Sequence, residues 1–275
     1  MTVTLITGCS SGFGRLAANT FAGNGHRVFA TMRDPSRAKD LDPAATVVEL
    51  DVDDDASVRR AVGDVLDQAG RIDVLVNNAG FGLRGPVEQA DLDAARRMFE
   101  TNVFGVVRMC QAVLPVMRSQ ESGVIVNVSS LAGVVANPFG GLYAASKHAL
   151  EAITDTLHYE AHPWNIRVVS IEPGAFETRF GDNVHVSSGF DESSPYWSLA
   201  TGFNEALERL RGGMTGEGGA DPQLVADAIW EAATDPAHPR RRLVGADAEM
   251  IGSLRKQLDD EQFEQTVRQA LDFWD

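Results

Sequence analysis

Short runs of apolar and β-branched residues alternate along this chain with longer segments in which apolar residues recur every three or four positions. The short runs are typical of buried strands and the longer segments of amphipathic helices. The predicted strands span residues 3–7, 28–31, 46–50, 74–77, 124–128, 168–171 and 243–245, and the predicted helices span residues 15–24, 56–68, 92–118, 143–161 and 223–233. Because strands and helices alternate, we predict an α/β fold with a doubly wound, parallel, seven-stranded sheet and helices on both faces.

Length, charge and cysteine content narrow the class of protein. The 275 residues suffice for one full-sized core, so we predict a single domain over residues 1–275. The net charge of −15 argues against nucleic-acid or anionic-membrane partners, which need a basic surface. Cys9 and Cys110 form neither a CxxC pair nor a disulfide framework, and no secretion signal precedes the first strand. We therefore expect a cytoplasmic protein that acts on small molecules without a metal.

A glycine-rich turn, with Gly8, Gly12 and Gly14, lies between the first predicted strand and the first predicted helix. Glycine permits a tight turn and lets backbone amides approach a pyrophosphate, whose charge the helix N-terminus stabilises. Open parallel sheets bind ligands at the carboxyl ends of their strands, and this turn lies at such an end. Glycine-rich turns are common between strands and helices, so the turn alone does not identify the ligand.

Further motifs follow this turn. The full series is Thr7-Gly8 with Gly12 and Gly14, Asn77-Asn78-Ala79-Gly80, Asn102-Val103-Phe104-Gly105, Ser130 thirteen residues before Tyr143, Tyr143 with Lys147, and Pro173-Gly174 with Thr178. In this order and at these intervals the motifs resemble the short-chain dehydrogenase/reductase family, over roughly residues 1–180. The resemblance implies a Rossmann fold and a nicotinamide dinucleotide cofactor. Within the family, the glycine turn is most similar to the steroid and retinol dehydrogenase branch.

The catalytic residues implied are Tyr143, Lys147, Ser130 and Asn102. Tyr143 and Lys147 are four residues apart on a predicted helix, so their side chains share one face. Lowering the pKa of a phenol from about 10 to about 7 takes roughly 4 kcal/mol, which an ammonium and an oxidised nicotinamide could supply. Tyr143 would then exchange a proton with the substrate while Ser130 hydrogen-bonds the substrate oxygen. By resemblance, Asn102 positions a water that links Lys147 to solvent.

Cofactor choice is predicted from the end of the second strand, where an acidic residue holds the ribose hydroxyls of NAD. By resemblance, Met32 occupies that acidic position, and Arg33 occupies the next one, where NADP-preferring members carry a basic residue. A guanidinium can bind a 2′-phosphate through two hydrogen bonds, so we predict NADP(H), with NAD(H) as the alternative. Asp34 would repel the phosphate if it were the aligned residue. The predicted cofactor-binding residues are Gly8, Ser10, Ser11, Gly12, Phe13, Gly14, Arg33, Asp51 (beside the adenine), Val52, Asn78, Ala79, Gly80, Tyr143, Lys147, Pro173, Gly174, Phe176 and Thr178.

Residues 179–221 break the alternation of strands and helices and contain many large apolar side chains, which are Phe180, Phe190, Tyr196, Trp197, Leu199 and Phe203. Exposed together, they would form an aggregation-prone patch. We predict a lid over an apolar substrate, with some of these side chains lining a pocket beside Tyr143. Its hinge glycines would be Gly212, Gly213, Gly216, Gly218 and Gly219. The alternative is a rigid helix packed on the sheet edge, with the aromatic side chains in the core.

The sequence also leaves alternatives for the oligomeric state of the protein and for whether it is catalytic. Family members commonly pair through two long helices, so the resemblance implies a homodimer or homotetramer through residues 92–118 and 143–161. A C-terminal helix, predicted over residues 259–275, would add to that interface or block one. A dinucleotide-binding sensor without catalysis is the second class of function. Such a protein has no need for the complete set of Asn102, Ser130, Tyr143 and Lys147, so we expect an enzyme.

Overall fold

The computed structural model describes residues 1–215 and 219–272. The strands are β1 (Val3–Ile6), β2 (Arg27–Met32), β3 (Thr46–Glu49), β4 (Val74–Asn77), β5 (Leu83–Arg84), β6 (Gly123–Val128), β7 (Ile166–Pro173), β8 (His185–Val186) and β9 (Arg241–Val244). Seven of them form one parallel sheet in the order β3-β2-β1-β4-β6-β7-β9, and β5 pairs with β8 in a small parallel ribbon. The predicted seven-stranded Rossmann sheet is confirmed, and the strand order reverses between β1 and β4.

Helices cover both faces of this sheet. They are α1 (Gly12–Gly23), α2 (Asp55–Ala69), α3 (Leu92–Phe99), α4 (Val106–Gln120), α5 (Gly141–Ala161), α6 (Trp197–Thr215), α7 (Gln223–Thr234), α8 (Ala246–Gln257) and α9 (Asp260–Leu271). Apolar residues of α2, α4 and α5 pack on one face, and those of α1 and α7 pack on the other. Neighbouring residues of a strand therefore enter different cores, as Leu5 and Ile6 do. All residues of β1 and β4 are buried, as expected for a sheet covered on both faces.

The helix predicted over residues 92–118 is present but changes its hydrogen-bonding pattern in the middle. A π-helical segment, Glu100–Gly105, lies between α3 and α4. Gly105 packs closely on the loop after β3, where an added Cβ would lie 2.9 Å from Val52 Cγ2. Apolar periodicity does not reveal such a segment, and π segments are frequent at functional sites.

The C-terminal third was predicted least completely. α9 confirms a helix within residues 259–275, and Asp259 and Gln262 form a capping box at its start. Residues 273–275 of that prediction lie outside the described residues. Helix α8 and the ribbon that β8 forms with the earlier strand β5 were not predicted, whereas α6 lies where a helix was the alternative to a lid. Within residues 1–215 and 219–272, no helix combines the length and the apolar character needed to cross a bilayer.

Candidate active site

A cavity of about 1040 Å³ opens at the carboxyl ends of the strands, where the strand order reverses. Every predicted cofactor-binding residue except Gly14 lines it. Of the predicted catalytic residues, Ser130, Tyr143 and Lys147 line the cavity, and Asn102 is buried behind it. The structure thus brings the predicted residues together, and their individual roles stay predictions.

The glycine turn is packed too tightly for a side chain at Gly8 or Gly14. Gly8 and Gly12 have φ angles of +74° and +57°, in the left-handed region that favours glycine. An added Cβ at Gly14 would lie 2.4 Å from Asn78 Nδ2 and 2.5 Å from the Gly8 oxygen, so Gly14 serves close packing. The N-terminus of α1 faces the cavity, without a capping bond from Ser11 and without an acidic residue in its first turn. Its amides and positive dipole end fit a pyrophosphate.

Thr7 and Asn78 fasten this turn to the end of β4. Thr7 Oγ1 accepts hydrogen bonds from the Asn78 and Ala79 amides, each at 3.0 Å. In return, Asn78 Nδ2 donates to the Thr7 oxygen at 2.9 Å and to the Gly8 oxygen at 3.1 Å. The two loops that flank the reversal of strand order are therefore held together before any ligand binds.

Tyr143, Lys147 and Ser130 meet on one wall of the cavity. α5 places the first two on one face, with Lys147 Nζ 5.9 Å from the centroid of the Tyr143 ring. Lys147 Nζ donates to the Val128 oxygen at 3.0 Å, which fixes the ammonium at the end of β6. Ser130 hydrogen-bonds the Tyr143 phenol. Ser129 also lines the cavity, but its hydroxyl has no hydrogen-bond partner in the part of the chain described.

Burial sets the proton affinities of the two α5 side chains. It raises the pKa of Tyr143 to about 12, and the hydrogen bond with Ser130 opposes only part of this rise. It lowers the pKa of Lys147 to about 8, although the negative charge of Glu151 acts in the opposite direction. Desolvation of the phenolate thus dominates in the protein alone, whereas the lowered tyrosine pKa expected from the sequence also requires the positive charge of an oxidised nicotinamide.

Asn102 lies inside the π-helical segment, and its side chain contacts both the loop after β4 and α5. Its Oδ1 accepts from the Phe81 amide at 3.1 Å, and its Nδ2 donates to the Phe81 oxygen at 3.0 Å and to Ser146 Oγ at 3.1 Å. Gly80 separates Asn102 from Lys147, since an added Cβ there would lie 3.0 Å from Asn102 Oδ1 and 3.8 Å from Lys147 Nζ. Asn102 is therefore close to the lysine, and the water relay stays a prediction.

The residues after β2 form the far end of the cavity. Met32, Arg33 and Arg37 line it, and Arg33 is exposed. Asp34 does not line it. Its carboxylate accepts from the Ser36 amide at 3.0 Å and from Ser36 Oγ at 2.6 Å, and so caps a short 3-10 turn. The Asp34 carboxylate is thus engaged in this turn and is not part of the cavity wall.

Asp51 and Val52 line the cavity beyond β3, and so does Asp53, which was not predicted. Asp51 Oδ1 accepts from the Asp53 amide at 3.1 Å. Asp53 Oδ2 accepts from Thr101 Oγ1 at 2.9 Å, while its Oδ1 is buried with no hydrogen-bond partner among the described residues. Leaving a buried acceptor unpaired is costly, so a bound ligand that donates here would be favoured. The amino group of an adenine is such a donor.

Two of the six large apolar side chains predicted for a lid line the cavity. They are Phe180 and Phe203, and the Phe180 ring centroid lies 5.9 Å from that of Tyr143. Phe190 and Trp197 contact each other instead, with ring centroids 5.5 Å apart, and Phe190 is buried. The segment therefore shares features of both alternatives, with one part facing the cavity and another part packed as core.

The predicted hinge of this segment is only partly described. Gly212 and Gly213 lie in the last turns of α6, so they are helical and not part of a loop. Gly216 and Gly218 lie outside the described residues. The start of the segment is anchored by pairing of β8 with β5, where the His185 amide donates to the Gly82 oxygen at 2.9 Å.

A buried cluster of charged side chains lies behind Lys147. Glu151, one turn further along α5, accepts from Ser170 Oγ at 2.5 Å and from Arg241 Nε at 2.8 Å. Glu172 on β7 is buried beside it, with its Oε1 3.5 Å from Arg241 Nε. Burial, together with the negative charge of Glu151, raises the pKa of Glu172. Glu172 therefore keeps its proton at pH values where an exposed glutamate is ionised.

This raised pKa predicts a pH-dependent stability. The folded protein binds the Glu172 proton more tightly than the unfolded chain, so the stabilisation is complete below the ordinary glutamate pKa of about 4.3 and is lost as pH rises through the folded value. In Glu172→Gln this titration is absent. Between about pH 5 and about pH 8, the free energy of unfolding of the wild type should fall by at least about 1 kcal/mol relative to Glu172→Gln, measured by urea denaturation. Glu160→Gln, at an exposed position of α5, should show no such trend, and a pH-independent difference for Glu172→Gln would contradict the raised pKa.

Several residues of the cavity wall could not be found from the sequence motifs, namely Asp53, Asn204, Leu207 and Asp247. The last three follow residue 180, beyond the region of resemblance, and come from α6 and α8. Asp53 belongs to an acidic run whose composition is typical of solvated loops. A signal for Asp247 is the sequence Gly-Ala-Asp-Ala directly after a predicted strand, which is the kind of position where parallel sheets bind ligands.

Comparison with known proteins agrees with this geometry. A model of the short chain dehydrogenase family matches residues 2–187. The chain belongs to the short-chain dehydrogenase/reductase family. It is 38% identical over 243 residues to a 3-ketodihydrosphingosine reductase of Bacteroides thetaiotaomicron, covering 88% of this chain and 87% of the relative. It is also 42% identical over 187 residues to retinol dehydrogenase 8 of Bos taurus, covering 64% of this chain and 59% of the relative, which agrees with the predicted similarity to the retinol branch.

Solved structures of this oxidoreductase family share the whole fold. A short-chain dehydrogenase from Streptomyces avermitilis superposes with a TM-score of 0.80 at 34% identity, over 97% of both chains. A short-chain dehydrogenase from Burkholderia cenocepacia in complex with NADP gives a TM-score of 0.75 at 26% identity, over 98% of this chain and 97% of that one. A 3-ketoacyl-(acyl-carrier-protein) reductase from Brucella melitensis, complexed with NADH, gives 0.76 at 27% identity over 90% and 98%. Neighbours of this fold therefore bind either dinucleotide.

Proposed function

We propose that this protein is an NADP(H)-dependent oxidoreductase that interconverts an alcohol and a ketone or aldehyde. The observation that carries the proposal is the meeting of Tyr143, Lys147 and Ser130 on one wall of a cavity that also contains the glycine turn. Either feature alone occurs in many folds. Their combination supports a proton donor beside a dinucleotide-binding turn, which is what carbonyl reduction requires.

The chain supplies proton transfer and orientation in this proposal. The nicotinamide, when bound, supplies or accepts the hydride. Tyr143 donates its phenolic proton to the carbonyl oxygen, or accepts one from the alcohol, and Ser130 holds that oxygen by a hydrogen bond. Lys147 keeps a positive charge beside the phenol, and one of its three N–H donors is used by the Val128 oxygen. The other donors can orient a ribose or a water.

A preference for NADP(H) over NAD(H) is supported by the charge at the far end of the cavity. Arg33 and Arg37 line this end, while Met32 replaces an acidic residue and Asp34 is engaged with Ser36. Two guanidinium groups attract a 2′-phosphate, and the methionine at the end of β2 does not repel it as a carboxylate would.

An apolar substrate larger than a short-chain alcohol is proposed from the other end of the cavity. The apolar residues there are Leu83, Phe139, Phe180, Val184, Phe203 and Leu207. Two amide side chains, Asn137 and Asn204, add polar contacts. Two relatives are named for 3-ketodihydrosphingosine and retinol, which both carry long apolar portions. Residues 179–221 would form the cover over this part of the cavity.

The test is a reduction assay in which the oxidation of NADPH, and separately of NADH, is followed with a panel of ketones and aldehydes of increasing chain length. Turnover with NADPH that rises with chain length supports the proposal, with product identity checked by mass spectrometry. Binding of dinucleotide without turnover across the panel would point to the sensor alternative.

Phe203 should determine chain-length preference. In Phe203→Ala, we expect the ratio of kcat/KM for a long-chain ketone to that for a short one to fall about 10-fold, because about 1.4 kcal/mol of apolar contact is lost only for the longer substrate. Phe190→Ala is the matched control, since Phe190 is buried but does not line the cavity. Both variants should lose stability. A changed ratio in both, or in neither, would speak against Phe203 as a substrate contact.

A homodimer or homotetramer is proposed through α3, the π-helical segment, α4 and α5. Leu92 and Phe104 are 61% and 52% exposed in the single chain, and contact with a second copy through these helices would bury them. Light scattering should give at least twice 29.6 kDa at micromolar concentration, and Leu92→Glu should reduce that mass. A wild type that stays at 29.6 kDa would refute the assembly.

A further inference from the structure

Asp247 connects the C-terminal part of the chain to the cavity. It lies in the first turn of α8 and is only 2% exposed, although it is an ionisable residue. Its Oδ2 accepts from the Ala175 amide at 2.9 Å, and its Oδ1 accepts from the Ala248 amide at 2.8 Å. Both carboxylate oxygens are therefore used, one to fix a loop after β7 and the other to fix the start of its own helix.

The loop concerned, residues 174–176, is held from three sides. The Gly174 amide donates to the Val244 oxygen at 2.9 Å, so the loop continues the pairing of β7 with β9. The Phe176 ring packs edge-on against Phe13 of the glycine turn, at 5.6 Å between centroids. It also contacts Gly245, where an added Cβ would lie 3.2 Å from the ring. With Asp247 on the Ala175 amide, little freedom is left in this loop.

The glycines near Asp247 make room for its carboxylate, and few other side chains could take its place. An added Cβ at Gly174 would lie 2.0 Å from Asp247 Oδ1, so the carboxylate fits only beside a glycine. Gly245, which precedes α8, has a φ of +104°, in the region that favours glycine. An asparagine at position 247 offers one acceptor oxygen, so it cannot accept from the Ala175 and Ala248 amides in the way that a carboxylate does.

We infer that Asp247 is a positioning residue that holds the 174–176 loop in the conformation that receives the nicotinamide half of the cofactor. Gly174, Phe176 and Asp247 all line the cavity that contains Tyr143. Because the loop is already ordered by the protein, binding the nicotinamide does not have to order it. This inference rests on the proposed function, since it concerns the cofactor of that reaction.

The test compares a whole dinucleotide with a fragment that lacks nicotinamide. In Asp247→Asn, we expect the Kd for NADPH to rise by at least about 10-fold, which corresponds to the loss of one charge-assisted hydrogen bond. The Kd for 2′,5′-ADP should stay within about 2-fold of the wild-type value. Glu249→Gln is the control, because Glu249 is an exposed acid in the same first turn of α8 and should change neither value. Without any ligand, amide hydrogen exchange at Ala175 should be slow in the wild type and faster in Asp247→Asn.

The outcomes separate three cases. If Asp247→Asn weakens the binding of NADPH and of 2′,5′-ADP equally, Asp247 has a general structural role. If the affinity for both ligands is unchanged, Asp247 has no role in binding. Either result overturns the inference. If Asp247→Asn does not fold, Gly174→Ala displaces the same carboxylate and should give the same selective loss of NADPH. If the wild type binds and turns over NADPH, and Asp247→Asn does so with the same affinity and rate, the inference about Asp247 is refuted but the proposed function is not. A wild type that binds neither NADPH nor NADH would refute the proposed function as well.

Discussion

Tyr143→Phe is expected to lose turnover by about 10²- to 10⁴-fold, the range contributed by a positioned general acid or base. The substitution removes the transferable proton but keeps the ring that lines the cavity beside Phe180. The Kd for the dinucleotide should therefore change by less than about 3-fold. Measurements of kcat by steady-state kinetics and of Kd by fluorescence titration separate these two effects.

The control for this variant is on the same helix. Tyr159→Phe changes an exposed tyrosine of α5 and should leave kcat unchanged. Lys147→Ala should reduce both kcat and cofactor affinity, because it removes the charge beside the phenol and a donor to the cofactor. If Tyr143→Phe retains turnover within a few-fold of the wild type, Tyr143 is not the proton donor.

The second large effect concerns cofactor preference. The wild type is expected to favour NADP(H) over NAD(H) by about 10- to 150-fold in kcat/KM, equivalent to roughly 1.5–3 kcal/mol for one charge-assisted contact to the 2′-phosphate. Met32→Asp with Arg33→Ala removes that contact and adds an acceptor for the ribose hydroxyls. We expect this double variant to lose or reverse the preference.

Asp34→Asn tests whether the alignment at the end of β2 is right. The amide oxygen of the introduced side chain can still accept from the Ser36 amide and keep the 3-10 turn, so the preference should stay within about 3-fold of the wild type. A large gain in NADP(H) efficiency in Asp34→Asn would mean that Asp34 faces the phosphate. Equal or better efficiency of the wild type with NAD(H) would reject the predicted preference itself.

Regular periodicity made most of the sheet predictable. Buried runs such as residues 74–77 gave the bounds of β4, because a strand covered on both faces is apolar without interruption. The π-helical segment around Asn102 has the same apolar spacing as an α-helix over its short length, so only the type of hydrogen bonding distinguishes it. β5 and β8 are two residues each, too short for any periodic signal.

The site was predictable where spacing along one helix determines geometry, as for Tyr143 and Lys147. It was not predictable where contacts join distant parts of the sequence. Asp247 meets the Ala175 amide across 72 positions, and Arg241 meets Glu151 across 90 positions. The burial that raises the pKa of Tyr143 in the protein alone was not predictable either, because the spacing gives the neighbouring charge but not the extent of burial.

The buried cluster of Glu151, Glu172 and Arg241 bears on whether the N-terminal part of this enzyme can fold without the C-terminal part. The family model matches residues 2–187, yet Arg241, the cation that binds Glu151 behind Lys147, lies on the edge strand β9. A fragment ending after β7 would leave the buried Glu151 carboxylate without that arginine, and unpaired buried charge is strongly destabilising. The region that carries the catalytic motifs is therefore not an autonomous unit, and exchange of C-terminal segments between relatives should succeed only when the arginine of the edge strand is retained.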